Sequence, residues 1–88
     1  MIIGKRWTAL IIRDLVAGTK RFGQLEQSLE GISPKMLSQR LHELESEGVV
    51  IREVYPEVPV RVEYSLTEKG RALKKVIDSM ASWGAKWA

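Results

Sequence analysis

Cysteine is absent from the 88 residues, which removes disulfide staples, thiolate metal sites and thiol redox chemistry from this stretch of chain. Histidine occurs once, as His42, and Asp14 and Asp78 stand isolated on expected helices. Nucleophile–base constellations and metal cages therefore have almost nothing to draw on, no cofactor is expected, and no glycine-rich phosphate loop is present. An enzyme is not expected. Long apolar runs are missing too: stretches such as Ala9 to Ile12 and Val49 to Ile51 fall far short of the roughly 20 residues that cross a bilayer. Lys5 and Arg6 are not followed by the longer apolar stretch of a signal peptide, so the expectation is a cytoplasmic protein with no membrane partner.

What is present is the composition of a folded domain: 44% hydrophobic and 28% charged residues. Eighty-eight residues suffice for one core, so residues 1–88 are expected to form a single domain. A core of that size is marginal alone, and burial against a partner is expected. Fourteen basic residues against eleven acidic ones leave a net charge of +3, a surplus that says less than its placement. Lys20, Arg21, Lys35, Arg40 and Arg61 fall before the expected last helix, while Glu43, Glu45 and Glu47 sit together.

The apolar residues Trp7, Leu10, Ile11 and Leu15 have helical spacing, and Gly18 ends that helix. Phe22, Leu25 and Leu29 predict a shorter second helix, broken at Gly31. A third helix over 34–47 is the best-marked element. Ser33 suits its cap, Pro34 its first position, and Leu37, Leu41 and Leu44 its buried stripe. At about 100° per residue, Lys35, Gln39, His42 and Ser46 fall on the opposite face, with Ser38 on its flank.

From Val49 to Leu66 the period changes to two. Pro56-Glu57-Val58-Pro59 predicts a four-residue turn, which pairs Tyr55 with Val60, Ile51 with Tyr64 and Arg52 with Glu63. Thr67 then caps a last helix over 68–87, whose stripe is Leu73, Val76, Ile77, Met80, Trp83 and Trp87. The fold class is α+β, mostly α: three helices, a β-hairpin wing and a C-terminal helix, in the winged helix-turn-helix order.

That order fits double-stranded DNA. A helix entering the major groove must be apolar behind and short, polar and basic in front. The third helix carries Lys35, Ser38, Gln39 and Arg40 early and its glutamates late, so its N-terminal half is the end expected to enter. Gln39 can bond adenine through two contacts, and Lys35 a base or a phosphate. Ser33 is first a cap. Arg40 is balanced between a phosphate contact and pairing with an acid, and His42 is an exposed helix residue beside them. Lys20 and Arg21, before the second helix, suit phosphates, and Arg61, beside the hairpin turn, suits a minor groove or phosphate.

The stretch Gly31-Ile32-Ser33-Pro34-Lys35-Met36-Leu37-Ser38-Gln39-Arg40-Leu41, followed by Glu43-Leu44-Glu45, resembles the recognition segment of HxlR-type transcription regulators. Val54-Tyr55-Pro56-Glu57-Val58-Pro59 and Arg61-Val62-Glu63-Tyr64-Ser65-Leu66-Thr67, with Gly70 beyond, resemble the family's wing, and Gly4-Lys5-Arg6-Trp7-Thr8 and Arg21-Phe22-Gly23 its early signposts. The resemblance implies a bacterial winged-helix homodimer on operator DNA; it names no effector. Relatives usually carry a further N-terminal segment, often with a sensing cysteine, which these residues lack. The homodimer is expected through Ile2, Ile3, Trp7, Ile77, Met80, Trp83 and Trp87, which offer more apolar surface than one small domain covers. The alternative is a winged-helix protein-interaction module that never binds DNA. Such a module would more often show exposed apolar residues where the third helix is polar and basic.

Overall fold

A computed structural model describes residues 6–87. Four helices and three strands follow in the order α1 (Arg6–Val16), β1 (Lys20–Arg21), α2 (Phe22–Ser28), α3 (Pro34–Ser46), β2 (Val50–Tyr55), β3 (Arg61–Leu66) and α4 (Glu68–Trp87). The fold is α+β and mostly helical, as the residue pattern predicts.

Each helix buries the stripe that its spacing dictates. Ile11, Ile12 and Leu15 of α1 meet Leu25 and Leu29 from the α2 segment and Leu37, Leu41 and Leu44 of α3, with Val49, Val50 and Leu66 closing the core from the sheet side. The turn between α2 and α3 needs a left-handed residue, and Gly31 supplies it at φ +93°. Gly48 at φ +73° does the same between α3 and β2. Ser33 Oγ accepts from the Met36 N–H at 3.1 Å, so the expected cap of α3 forms.

Thr67 does more than cap α4. Its Oγ1 accepts from the Gly70 N–H at 3.0 Å and lies 2.5 Å from the Gly48 carbonyl, to which it can donate. The Lys69 ammonium donates to the Glu47 carbonyl at 2.6 Å. Together these bonds stitch the start of α4 to the α3–β2 connection. Gly70 fits there because it has no Cβ: one would stand 2.3 Å from the Val49 carbonyl oxygen.

Two features differ from the sequence expectation. The sheet has three strands, in the order β1-β3-β2, all antiparallel. β1 pairs Lys20 with Tyr64 and Arg21 with Glu63, and two residues are too few to show a period of two. The hairpin register is also shifted by one residue. Tyr55 faces Arg61, Arg52 faces Tyr64 and Ile51 faces Ser65, because the turn has five residues, Pro56 to Val60, rather than four. The expected Arg52–Glu63 match therefore does not form. Arg52 instead lies 3.6 Å from Glu45 of α3, and Glu63 faces Glu53.

Candidate nucleic-acid interface

The second and third helices are joined by the Gly31 turn. On α3, Lys35, Ser38, Gln39 and His42 are exposed while Leu37, Leu41 and Leu44 are buried behind them. The four polar residues recur at three- and four-residue intervals, so they lie along one side of the helix. Ser33 stands at the start of that side with its oxygen already engaged by the Met36 N–H.

Arg40 lies on the flank. Its Nη1 is 2.6 Å from Glu43 Oε1, and the side chain is half-buried. Of the two roles weighed for Arg40, pairing with an acid is the one seen.

Lys20 and Arg21 occupy the edge strand β1 rather than a free loop before α2. Their sheet partners divide them. Lys20 shares a cross-strand row with Tyr64 and Arg52, whereas Arg21 shares the next row with Glu63 and Glu53. The Arg21 N–H donates to Gln24 Oε1 at 2.8 Å, which satisfies one end of the short α2.

Arg61 opens β3 beside the hairpin turn, with its guanidinium engaged inside the wing. It lies 3.3 Å from Glu57 and 3.4 Å from Glu63, and packs over the Tyr55 ring at 4.2 Å. The neighbouring carboxylates leave their mark on Tyr55, whose hydroxyl is pushed above its usual titration range first by Glu53, then by burial and Glu63. Beyond Arg61 the wing tip is apolar and exposed at Val58 and Val60. Its alternation signals strand, and nothing in that pattern marks the tip as a surface.

The expected assembly residues divide in two. Trp7 and Ile77 are half-buried against the core. Met80, Trp83 and Trp87 are not: they are 52%, 62% and 66% exposed. Val76 joins them, so positions 76, 80, 83 and 87 form an uncovered apolar stripe along α4. Val76 belongs to the same helical period as the expected residues and could have been included on that ground. Ile2 and Ile3 lie outside the described residues. No helix among the described residues is long and apolar enough to cross a membrane, and no group of three His, Cys, Asp or Glu there could hold a metal ion.

Known proteins share this arrangement. The uncharacterised HTH-type transcriptional regulator YvaP of Bacillus subtilis (strain 168) is 50% identical over 86 residues, which cover 98% of this chain and 80% of YvaP. The crystal structure of diamide-treated YodB from B. subtilis has a TM-score of 0.91 at 47% identity, covering 99% of this chain and 86% of that one. The oxidised form of the redox regulator HypR gives 0.86 at 40% identity, covering 99% and 90%. Relatives named in this way are transcription regulators, not enzymes. The family model described as HxlR-like helix-turn-helix matches residues 2–88, and the chain belongs to that family.

Proposed function

We propose that this protein is a sequence-specific DNA-binding transcription regulator that acts as a homodimer on a palindromic operator. The carrying observation is the exposed face of α3. It is held from behind by three buried leucines and presents Lys35, Ser38, Gln39 and His42 to solvent. A major groove about 12 Å wide accepts one such helix. Glu47 stands at the C-terminal end, where phosphate would be repelled, so the N-terminal half enters.

Within that arrangement Gln39 and Lys35 read base edges, and Ser38 and His42 flank them. Ser33, Lys20 and Arg21 lie toward the backbone and position rather than specify. The hairpin β2–β3 serves as the wing. A phosphate there has to compete with Glu57 and Glu63 for Arg61, and at the flank of α3 with Glu43 for Arg40.

The 88 residues act as one winged domain, with α4 serving assembly. Two copies meeting along Val76, Met80, Trp83 and Trp87 remove that stripe from water, with Trp7 and Ile77 beside it. A two-fold axis sets the two α3 helices about 34 Å apart, one turn of DNA.

Selection from a random duplex pool, followed by footprinting, tests the reading. The expected product is an inverted repeat with half-sites about 10 base pairs apart, centre to centre. A pool that shows no enrichment overturns it and favours a protein-interaction role.

A further inference from the structure

With α3 in a major groove and the hairpin over the adjoining minor groove, the strand that separates the two grooves must run between α3 and the sheet. A cleft of about 340 Å³ lies there, lined by Ser38, Leu41, His42, Glu45, Arg52 and Tyr64. Around the axis of α3, Ser38 and Glu45 fall on the flank next to the groove-facing row, on the side opposite Arg40. The cleft is therefore continuous with the reading face.

Apart from the Glu45 carboxylate, its polar lining consists of groups that can donate to an oxyanion. Ser38 and Tyr64 contribute hydroxyls, His42 a ring N–H, and Arg52 a guanidinium with several N–H groups in a fixed fork. Arg52 is aimed but not consumed. Its Nε lies 3.6 Å from Glu45 Oε2, beyond hydrogen-bond length, and the two Nη groups are uncommitted. The Tyr64 hydroxyl has no hydrogen-bond partner among the described residues, although its ring packs against the core. Burial, with the Glu45 carboxylate, pushes Tyr64 above its usual titration range against the opposing pull of Arg52. The half-buried ring holds the hydroxyl along the cleft lining, where it can donate to an acceptor.

We propose that this cleft seats a backbone phosphate of the bound duplex, held by the Arg52 guanidinium and the Tyr64 hydroxyl. The proposal rests on the DNA-binding reading above and adds to it a fixed phosphate between the two reading elements. Glu45, 3.6 Å from Arg52, is the competitor that the phosphate has to displace, as Glu57 and Glu63 are for Arg61. A phosphate clamped there fixes the angle at which α3 enters the groove without reading any base.

The test uses the full chain with a mixed-sequence DNA duplex, titrated at several salt concentrations. Arg52→Ala should lower the log–log salt slope by about one, the signature of one lost phosphate contact. Tyr64→Phe keeps the ring and all charges; it should leave the slope unchanged and weaken binding about tenfold, equally on every sequence. Thermal melts of each variant show whether the fold is intact. Both variants binding with wild-type affinity and slope would overturn the cleft while leaving the DNA reading in place. A wild type whose affinity ignores salt would overturn the reading itself, and the cleft with it.

Discussion

Gly70→Ala puts the packing of α4 to a quantitative test, because two opposing effects can be sized from the structure. The substitution places alanine inside a 20-residue helix, which by itself favours folding by about 1 kcal/mol. Against this, the new Cβ meets the Val49 carbonyl oxygen at 2.3 Å and Leu66 Cδ2 at 2.9 Å. Leu66 can adjust. The carbonyl cannot, since the Thr67 N–H donates to that same oxygen at 3.0 Å. α4 must retreat by roughly 0.7 Å or more to restore contact distance, loosening the bonds from Thr67 and Lys69. Overpacking against backbone costs up to about 3 kcal/mol, so the net loss should be about 2 kcal/mol, or a fall in Tm of roughly 8–16 °C. Gly84→Ala, in the same helix with nothing within 4 Å of its Cβ, is the control and should be neutral or stabilising. Urea and thermal unfolding followed by circular dichroism measure both. A Gly70→Ala variant as stable as wild type would refute the placement of α4 against the α3–β2 connection.

Other perturbations test separate parts of the molecule. Ser33→Ala removes the acceptor of the Met36 N–H and should cost about 1 kcal/mol in urea unfolding, with DNA specificity retained by whatever protein remains folded. Because burial raises the Tyr64 hydroxyl above its usual value of 10.0, the folded state favours the neutral phenol. That contribution is intact below pH 10.0 and is lost as pH rises through the raised folded value, so Tyr64→Phe should lose less stability than wild type in alkaline melts. Trp83→Ala with Trp87→Ala removes two large exposed side chains from the α4 stripe and should turn a dimer into a monomer by sedimentation. A monomeric wild type, or a double variant still fully dimeric, contradicts that interface.

The helices were legible in the sequence where one residue type has one physical use. Ser33-Pro34 can hardly be other than a helix start, and Leu37, Leu41 and Leu44 admit one buried face; both are as observed. Thr67 capped as expected, although its second bond, across the chain to Gly48, has no local signature. The strands were harder because their pairing is not local. A two-residue strand has no period to read, and a turn whose length changes by one moves every cross-strand partner. The charge match of Arg52 with Glu63 favoured the wrong register, since the partner of Arg52 lies on α3, outside the hairpin. The same limit governs the site. The exposed row on α3 follows from helical projection, whereas the engagement of Arg61 by Glu57, Glu63 and Tyr55 depends on a sheet register that residue types do not fix.

The central claim is that the early face of α3 reads bases, and one comparison tests it most directly: the affinity of wild type and of Gln39→Ala for a selected operator and for random duplex, at one fixed salt concentration. Base reading by Gln39 predicts a loss of about 1–3 kcal/mol on the operator and almost none on random duplex. An equal loss on both would make Gln39 a backbone contact, and no loss on either would contradict the entry of α3 into the groove.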